Sequence, residues 1–219
     1  MKILVIGSNG QLGRSLLTSL ARPYPGTTFW DRQALDLTQL GSIRARLENL
    51  GPQVIINASA YTAVDQAEQE TELALVVNRD AVGEIASYCA AVDAVLIHVS
   101  TDYVFDGAAN APYVETADTN PQGVYGASKL AGEGYCSAYF HSYGVETVAL
   151  RFGNVYGPGC AHKESLVAKF LRRALAGETL EIYGDGQQTR DFIYVEDIVD
   201  AILRPKNAAH ARHASFLRW

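Results

Sequence analysis

At 219 residues the chain is long enough for one full hydrophobic core with a small appendage. Hydrophobic residues make up 48% and charged residues 19%, with Lys+Arg 18 against Asp+Glu 24 and a net charge of −6. This is globular composition without an electrostatic footprint for nucleic acid or an anionic membrane.

Other classes are excluded on the same grounds. No apolar run reaches transmembrane length, and the opening Met1 to Ile6 enters a glycine loop without a signal-peptide pattern. Cys89, Cys136 and Cys160 are odd in number and scattered, which argues against a disulfide framework or a zinc knuckle. A cytoplasmic protein is the expectation.

Lys2 to Ile6 is β-branched and predicts a first strand. Gly7-Ser8-Asn9-Gly10-Gln11-Leu12-Gly13 follows, with a glycine at every third position before an amphipathic run to Leu20. Such a loop supplies a tight turn, close backbone approach to a pyrophosphate and close helix packing, with the phosphate at the helix amino terminus. The spacing is not the usual Gly-x-Gly-x-x-Gly, and three glycines alone mark only a turn. The position between first strand and first helix carries the dinucleotide reading.

A second strand, Thr27 to Trp30, ends at Asp31, which suits the ribose hydroxyls of NAD. Arg32 follows and suits the 2′-phosphate of NADP. The choice between NADH and NADPH stays open, as does the reading of both residues as solvated loop charges. Asp36-Leu37-Thr38 introduces the next helix, with Thr38 as N-cap and Gly51-Pro52 as the stop. Asp36 either contacts adenine or begins a turn.

Val54 to Asn57 predicts the third strand, continued by Ala58, Ser59, Ala60 and Tyr61. Small side chains there let a flat cofactor lie against the backbone, or simply allow tight packing. Residues 68–91 are helical in pattern. Val95 to Val99 is a short apolar run of the buried parallel kind, which puts Thr101 at its carboxyl end. Open α/β sheets bind their ligands at that edge. Residues 106–124, rich in Gly, Ala, Pro and Asn, predict a long loop over the site.

From Tyr125 to about Tyr143 the pattern is helical again, and a four-residue step places Tyr125 and Lys129 on one face, about 6 Å apart along the axis. A phenol with an ordinary pKa of about 10 is a poor acid or base at neutral pH, and a neighbouring cation lowers that value. The tuned group can protonate a forming alkoxide or take a proton from an alcohol. The Thr101 hydroxyl can bond the same oxygen. No side chain carries a hydride, so the pairing requires a cofactor.

Thr147 to Arg151 predicts another buried strand, and 152–159 a turn-rich passage in which Asn154 bonds a substrate or caps the turn. Glu164 to Ala176 is an amphipathic helix, and Leu180 to Tyr194 resembles two short strands around Gly184-Asp185-Gly186. Arg190 is either a clamp for a diphosphate or the partner of Asp185 or Asp191. Strand and helix alternate from Met1 to Arg151, which predicts an α/β fold with a Rossmann-like doubly wound parallel sheet. The expected organisation is a dinucleotide-binding domain over 1–151, a partial substrate lobe over 152–203, and an irregular basic tail over 204–219. That tail holds Arg204, Lys206, His210, Arg212, His213 and Arg218 with no acid.

With the glycine loop, Thr101, Tyr125 and Lys129 in place, the chain resembles the extended short-chain dehydrogenase/reductase superfamily from Met1 to about Leu203. Within it, Gly10-Gln11-Leu12-Gly13, residues 57–65, Val77-Asn78-Arg79-Asp80-Ala81 and residues 100–107 (Ser-Thr-Asp-Tyr-Val-Phe-Asp-Gly) look like the dTDP-4-dehydrorhamnose reductases. The resemblance implies reduction of a nucleotide-linked 4-keto sugar by NADPH or NADH. By the same resemblance Tyr125 is the general acid, Lys129 tunes it and bonds the nicotinamide ribose, and Thr101 polarises the ketone. Gly7, Gly10, Gln11, Leu12 and Gly13 hold the pyrophosphate, Ala58, Ala60 and Tyr61 line the cofactor, and Asp36 and Leu37 lie beside its adenine. Ser59 and Val99 complete the expected cofactor lining; Asp102, Tyr103, Asn154 and Arg190 make up the substrate side.

Two features depart from that pattern. Residues 184–197 look more like nucleotide-sugar epimerases and dehydratases. Dehydratases of the superfamily carry an acidic pair after the threonine, where this chain has Asp102-Tyr103, which counts against water elimination and leaves an NAD-dependent 4-epimerase open. Family members are also substantially longer, which leaves a non-catalytic NADP-binding regulatory subunit as a further alternative. The expected partner is a nucleotide sugar, with no nucleic acid and no membrane; a homodimer rests on family likeness alone.

Overall fold

The computed structural model describes residues 1–160 and 165–203, together with the backbone of Ser215–Arg218. Six parallel strands form the main sheet in the order β2-β1-β3-β4-β5-β8. They are β1 (Ile3–Ile6), β2 (Thr28–Trp30), β3 (Val54–Asn57), β4 (Val95–Thr101), β5 (Thr147–Phe152) and β8 (Ser215–Arg218). Strand order reverses beside β1, which makes the sheet doubly wound and Rossmann-like.

The alternating apolar residues of the strands explain the two-sided core. In β1, Leu4 and Ile6 join one buried cluster while Ile3 and Val5 join the other. In β3 the same division separates Ile55 from Val54 and Ile56. The first cluster takes Ile43 and Leu47 from α2 (Leu40–Leu50) and Val82, Ile85 and Cys89 from α4 (Ala81–Val92). The second takes Leu16 and Leu20 from α1 (Gln11–Leu20) and Ile198, Val199 and Ile202 from α7 (Val195–Leu203). The 198, 199, 202 spacing is the helical apolar stripe that brings α7 onto the sheet beside α1.

Several local expectations are corrected. The N-cap of α2 is Gln39, because Thr38 turns its hydroxyl and amide to the Asp36 carboxylate. The helical run over 68–91 is broken into a 3₁₀ turn (Gln66–Glu68), α3 (Thr71–Leu75), a π-helical turn (Val76–Asp80) and α4. The turn-rich passage after Phe152 contains β6 (Asn154–Tyr156), which pairs in parallel with β7 (Phe192–Tyr194) in a small second sheet. Only this one strand forms between Leu180 and Tyr194, since 180–191 runs as turn and loop around Gly184 to Gly186. The remaining helices are α5 (Val124–Tyr143) and α6 (Leu166–Leu175). Glu164, at the expected start of α6, lies outside the described residues.

The basic tail likewise lies outside them, except for Ser215–Arg218. There the chain is not irregular but adds a parallel edge strand along Val148 to Arg151. Ser-Phe-Leu-Arg is too short for its own sequence to announce a strand, and pairing with β5 supplies what periodicity does not.

One ion pair is buried at the centre of this architecture. Arg151 of β5 meets Glu133 of α5 at 2.7 Å, with side chains 6% and 2% exposed. Ser100 donates to the same carboxylate at 2.5 Å, and Arg151 reaches the carbonyl of Glu115 in the loop between β4 and α5. Replacing Arg151 by Met leaves Glu133 charged and buried, so it should destabilise the chain by about 3–5 kcal/mol, read from urea denaturation. A loss below about 1 kcal/mol would show that Glu133 does not depend on Arg151.

Candidate active site

Parallel strands bring their carboxyl ends to one edge, and the residues singled out in the sequence gather there. Gly7 ends β1 with φ +93, and a Cβ on it would sit 2.9 Å from the backbone of Ala58 and Ser59. A Cβ on Gly13 would lie 2.2 Å from the Gly7 carbonyl oxygen. The glycines therefore let three backbone segments converge where side chains would hold them apart. Gly10 is the N-cap of α1, with no side-chain cap and no acid in the first turn, so the helix presents its amino terminus to an anion without competition. Leu12 packs against the second core cluster, and the Gln11 amide reaches across to the carbonyl of Gly157 at 3.2 Å.

At the end of β2, Asp31 accepts from Asn9 and from the amides of Gln33 and Ala34, all at 3.0 Å, which ties the glycine loop to the following turn. The Ala34 amide is the largest influence holding its carboxyl below the usual range. Arg32 is exposed and lies 3.5 Å from Asp36. Asp36 accepts the Thr38 amide at 3.0 Å, and Leu37 is buried in the core at 4% exposure.

Beyond β3, the Ser59 amide donates to Asn57 Oδ1 at 3.2 Å, and Tyr61 is fixed at both backbone atoms by Asn78. The π-helical turn puts Asn78 in that position, where its Nδ2 also reaches Ser128 Oγ at 3.0 Å. The segment 58–61 is thereby moored to α5. The Tyr61 hydroxyl is spent on Glu70 at 2.9 Å.

Thr101 closes β4, 5% exposed; its hydroxyl donates to Asp102 Oδ1 at 3.1 Å and accepts the Tyr103 amide, which caps the 3₁₀ turn Asp102–Val104. Tyr103 stacks edge-on against Tyr125 with ring centroids 5.5 Å apart, while half its surface stays open. Lys129 lies one turn along α5, 1% exposed, and donates to the Val99 carbonyl at 2.5 Å. The three residues are brought together as expected. Their electrostatics are not. Burial pushes the Tyr125 phenol up to about 12, and the neighbouring Thr101 side chain opposes that only in part. Burial also pulls Lys129 down to about 8, against the opposing pull of Glu133. Desolvation is the largest influence on both groups, and the expected lowering of Tyr125 by an adjacent cation does not appear.

The side-chain amide and the backbone amide of Asn154 both donate to the Asp191 carbonyl. Arg190 is exposed and donates to its neighbour Thr189. Asp191, next along, lies against Gly153, and Asp102 faces the same glycine, so this segment does border the edge. Sequence reading missed His98 and Glu133. A histidine inside Val-Leu-Ile-His-Val and a glutamate four residues beyond Lys129 were the available signals. A cavity of about 290 Å³ beside Pro52, Tyr88 and Val92 holds none of these groups and lies at the opposite edge of the sheet. Among the described residues no helix is long and apolar enough to cross a membrane, and no acid, His or Cys cluster is arranged to hold a metal.

A family model described as the RmlD substrate binding domain matches residues 1–215. The chain belongs to that family. It is 36% identical over 210 residues to a dTDP-4-dehydrorhamnose reductase of Streptomyces griseus, covering 95% of this chain and 66% of that protein. It is 35% identical to a dTDP-4-keto-6-deoxy-D-glucose reductase of Streptomyces niveus, covering 99% of this chain and 74% of the other. A dTDP-4-dehydrorhamnose reductase of Bacillus anthracis, solved in complex with NADP, superposes with a TM-score of 0.86 at 28% identity, over 100% of this chain and 73% of that one. The chain spans 66%, 44% and 60% of the length of the first three curated relatives it matches.

The buried titratable groups make stability depend on pH. Cys89 and Cys136 move from 9.0 to about 12, chiefly through burial, and Tyr125 from 10.0 to about 12. In that window the folded chain keeps protons that the unfolded chain releases, so stability falls as pH rises above about 9. Lys129 acts oppositely: its folded value of about 8 lies below 10.5, so its penalty is full below 8 and relieved as pH rises to 10.5. Three acids outweigh one base. Urea midpoints should decline from pH 9 upward, and a Cys89→Ala/Cys136→Ala variant should decline less steeply; equal slopes would refute the assignment.

Proposed function

We propose that this chain carries the cofactor-binding and proton-donating part of an oxidoreductase that reduces a nucleotide-linked 4-keto sugar with NADPH or NADH. The division expected from sequence goes with it: residues 1–151 bind the dinucleotide, and 152–203 contribute to the sugar side. The names of the relatives support the substrate class, and the NADP complex of the Bacillus anthracis protein supports the cofactor.

The residues present suit a dinucleotide. Gly7, Gly10 and Gly13 leave the backbone bare, and the uncapped amino terminus of α1 offers its amides to a diphosphate. Ala58, Ser59, Ala60, Tyr61 and Val99 border the same edge. A bound nicotinamide supplies the hydride. The other tasks belong to the chain. Thr101, whose hydroxyl donates to Asp102 Oδ1 at 3.1 Å, turns that proton to the substrate oxygen when a substrate is bound. Tyr125, which keeps its proton up to about 12, is poised as a donor rather than as a phenolate. Proton transfer to the forming alkoxide is its role, after which the ammonium of Lys129 steadies the phenolate. Tyr103 shields one side of the phenol from water.

The observation that carries this reading is the convergence of Thr101 and Tyr125 at the carboxyl edge, with Tyr103 against the phenol and Lys129 one turn behind. Tyr125→Phe keeps the ring and removes the proton. It should reduce turnover of a dTDP-4-keto sugar by a factor of at least about 100, with nicotinamide affinity by calorimetry nearly unchanged. Wild-type turnover in Tyr125→Phe would sink the mechanism, and turnover without added reductant in protein that retains NAD would favour the epimerase.

A further inference from the structure

The helix that carries Tyr125 and Lys129 opens without the residues that start a helix well. Its N-cap is Gly123, with no side-chain cap and no acid in the first turn. The opening Gly-Val-Tyr-Gly holds none of the Ser, Thr, Asp or Asn that would satisfy its amides. Tyr125 is the second residue of that turn. From Ser128 onward α5 is fastened: Ser128 Oγ accepts from Asn78 and donates to the Tyr125 carbonyl, and Lys129 reaches the Val99 carbonyl. The amino-terminal side of Tyr125 depends on a group from outside the helix.

Glu68 supplies that group. Its Oε1 accepts the Val124 amide at 2.7 Å, across 56 positions of sequence. The 3₁₀ turn that holds it, Gln66–Glu68, is pinned by the fully buried Ala67, whose carbonyl accepts the Thr71 hydroxyl at 3.3 Å. Glu70 then accepts the Tyr61 hydroxyl at 2.9 Å and the Gln66 amide at 2.6 Å, which ties the same stretch to 58–61.

Gly123 points to the same contact independently. Its φ of −151 and ψ of 169 are extended values open to any residue, so the backbone does not ask for glycine there. Apart from its neighbours in the chain, a Cβ at 123 would meet only Glu68 among the described residues, with Oε1 2.8 Å away. The missing side chain is what lets the carboxylate reach the helix.

We propose that Glu68 is a positioning residue: its carboxylate caps α5 in place of a local N-cap and so keeps the Tyr125 ring where it packs, edge-on to Tyr103. That the ring serves a proton transfer rests on the proposed function; that Glu68 holds it does not. A carboxylate suits the place, since it accepts an amide and carries the charge that a helix amino terminus favours. A start with glycine at 123 and 126 frays when that acceptor is lost, and Tyr125 is displaced with it. Lys129, held one turn further in, stays. The consequence is weakened proton donation with cofactor binding intact.

NMR of the full chain at neutral pH, without cofactor or sugar, reads the cap itself. Glu68→Ala should speed exchange of the Val124 amide about fivefold, the worth of one helix cap, and weaken the nuclear Overhauser contact between the Tyr103 and Tyr125 rings. Gly123→Ala should do the same with Glu68 present, because the added methyl displaces the carboxylate. Glu68→Gln keeps an oxygen at the same reach and should restore both signals. An unchanged Val124 amide or an unchanged ring contact in Glu68→Ala overturns the proposal, and Gly123→Ala decides alone where Glu68→Ala fails to fold. Turnover of a dTDP-4-keto sugar should follow the same order, with kcat about tenfold down in the two alanine variants and nicotinamide affinity by calorimetry unmoved. Wild-type kcat in both overturns the positioning role. If the wild-type chain reduces no sugar, the reductase reading fails alone and the ring contact decides.

Discussion

The constraint on which the structure depends is the burial of two charged residues, Lys129 and Glu133, on one face of α5 beneath the main sheet. Water cannot reach them, so each must find fixed partners or stay discharged. Glu133 takes three donors, from Arg151 on β5 and Ser100 on β4. Lys129 takes a carbonyl and an imidazole from β4. These contacts fix α5 against the ends of β4 and β5 more sharply than apolar packing would, because a carboxylate misplaced by an ångström loses its hydrogen bonds outright. The loop over 105–123 inherits the same anchor through the Glu115 carbonyl and the Arg151 guanidinium over the Phe105 ring.

Close approach is the second consequence. A helix that places lysine and glutamate against strand backbone must come nearer than ordinary side chains permit, and α5 does so at glycines. Gly126 faces the Tyr103 carbonyl and Gly132 the Asn78 carbonyl at distances no Cβ tolerates. The π-helical turn over Val76–Asp80 answers from the other side by turning Asn78 inward to both Tyr61 and Ser128. The segment 58–61, the glycine loop and the face of Tyr125 are in this way parts of one hydrogen-bonded body.

The glycine loop and the segment that follows β5 are linked by different means. Gln11, in the first turn of α1, donates to Gly157, and α7 returns from the second sheet to pack its apolar stripe beside α1. The small β6-β7 sheet is held to the edge by Asn154 and the Asp191 carbonyl, so these polar residues act as joints.

Amino-acid order alone determined the alternating strands and helices, the glycine loop, and the meeting of Thr101, Tyr125 and Lys129. Each of these follows from local periodicity or from the fixed rise of a helix. Tertiary structure decided what depends on burial and on partners distant in sequence. Tyr125 is raised rather than lowered because the fold desolvates it, and no spacing reports desolvation. The bond of Asn154 to Asp191 and the burial of Leu37 in the core are set only by the fold. β8 exists through pairing with β5, and His98 and Asn57 meet their partners only when β3, β4 and α5 are brought within hydrogen-bonding distance.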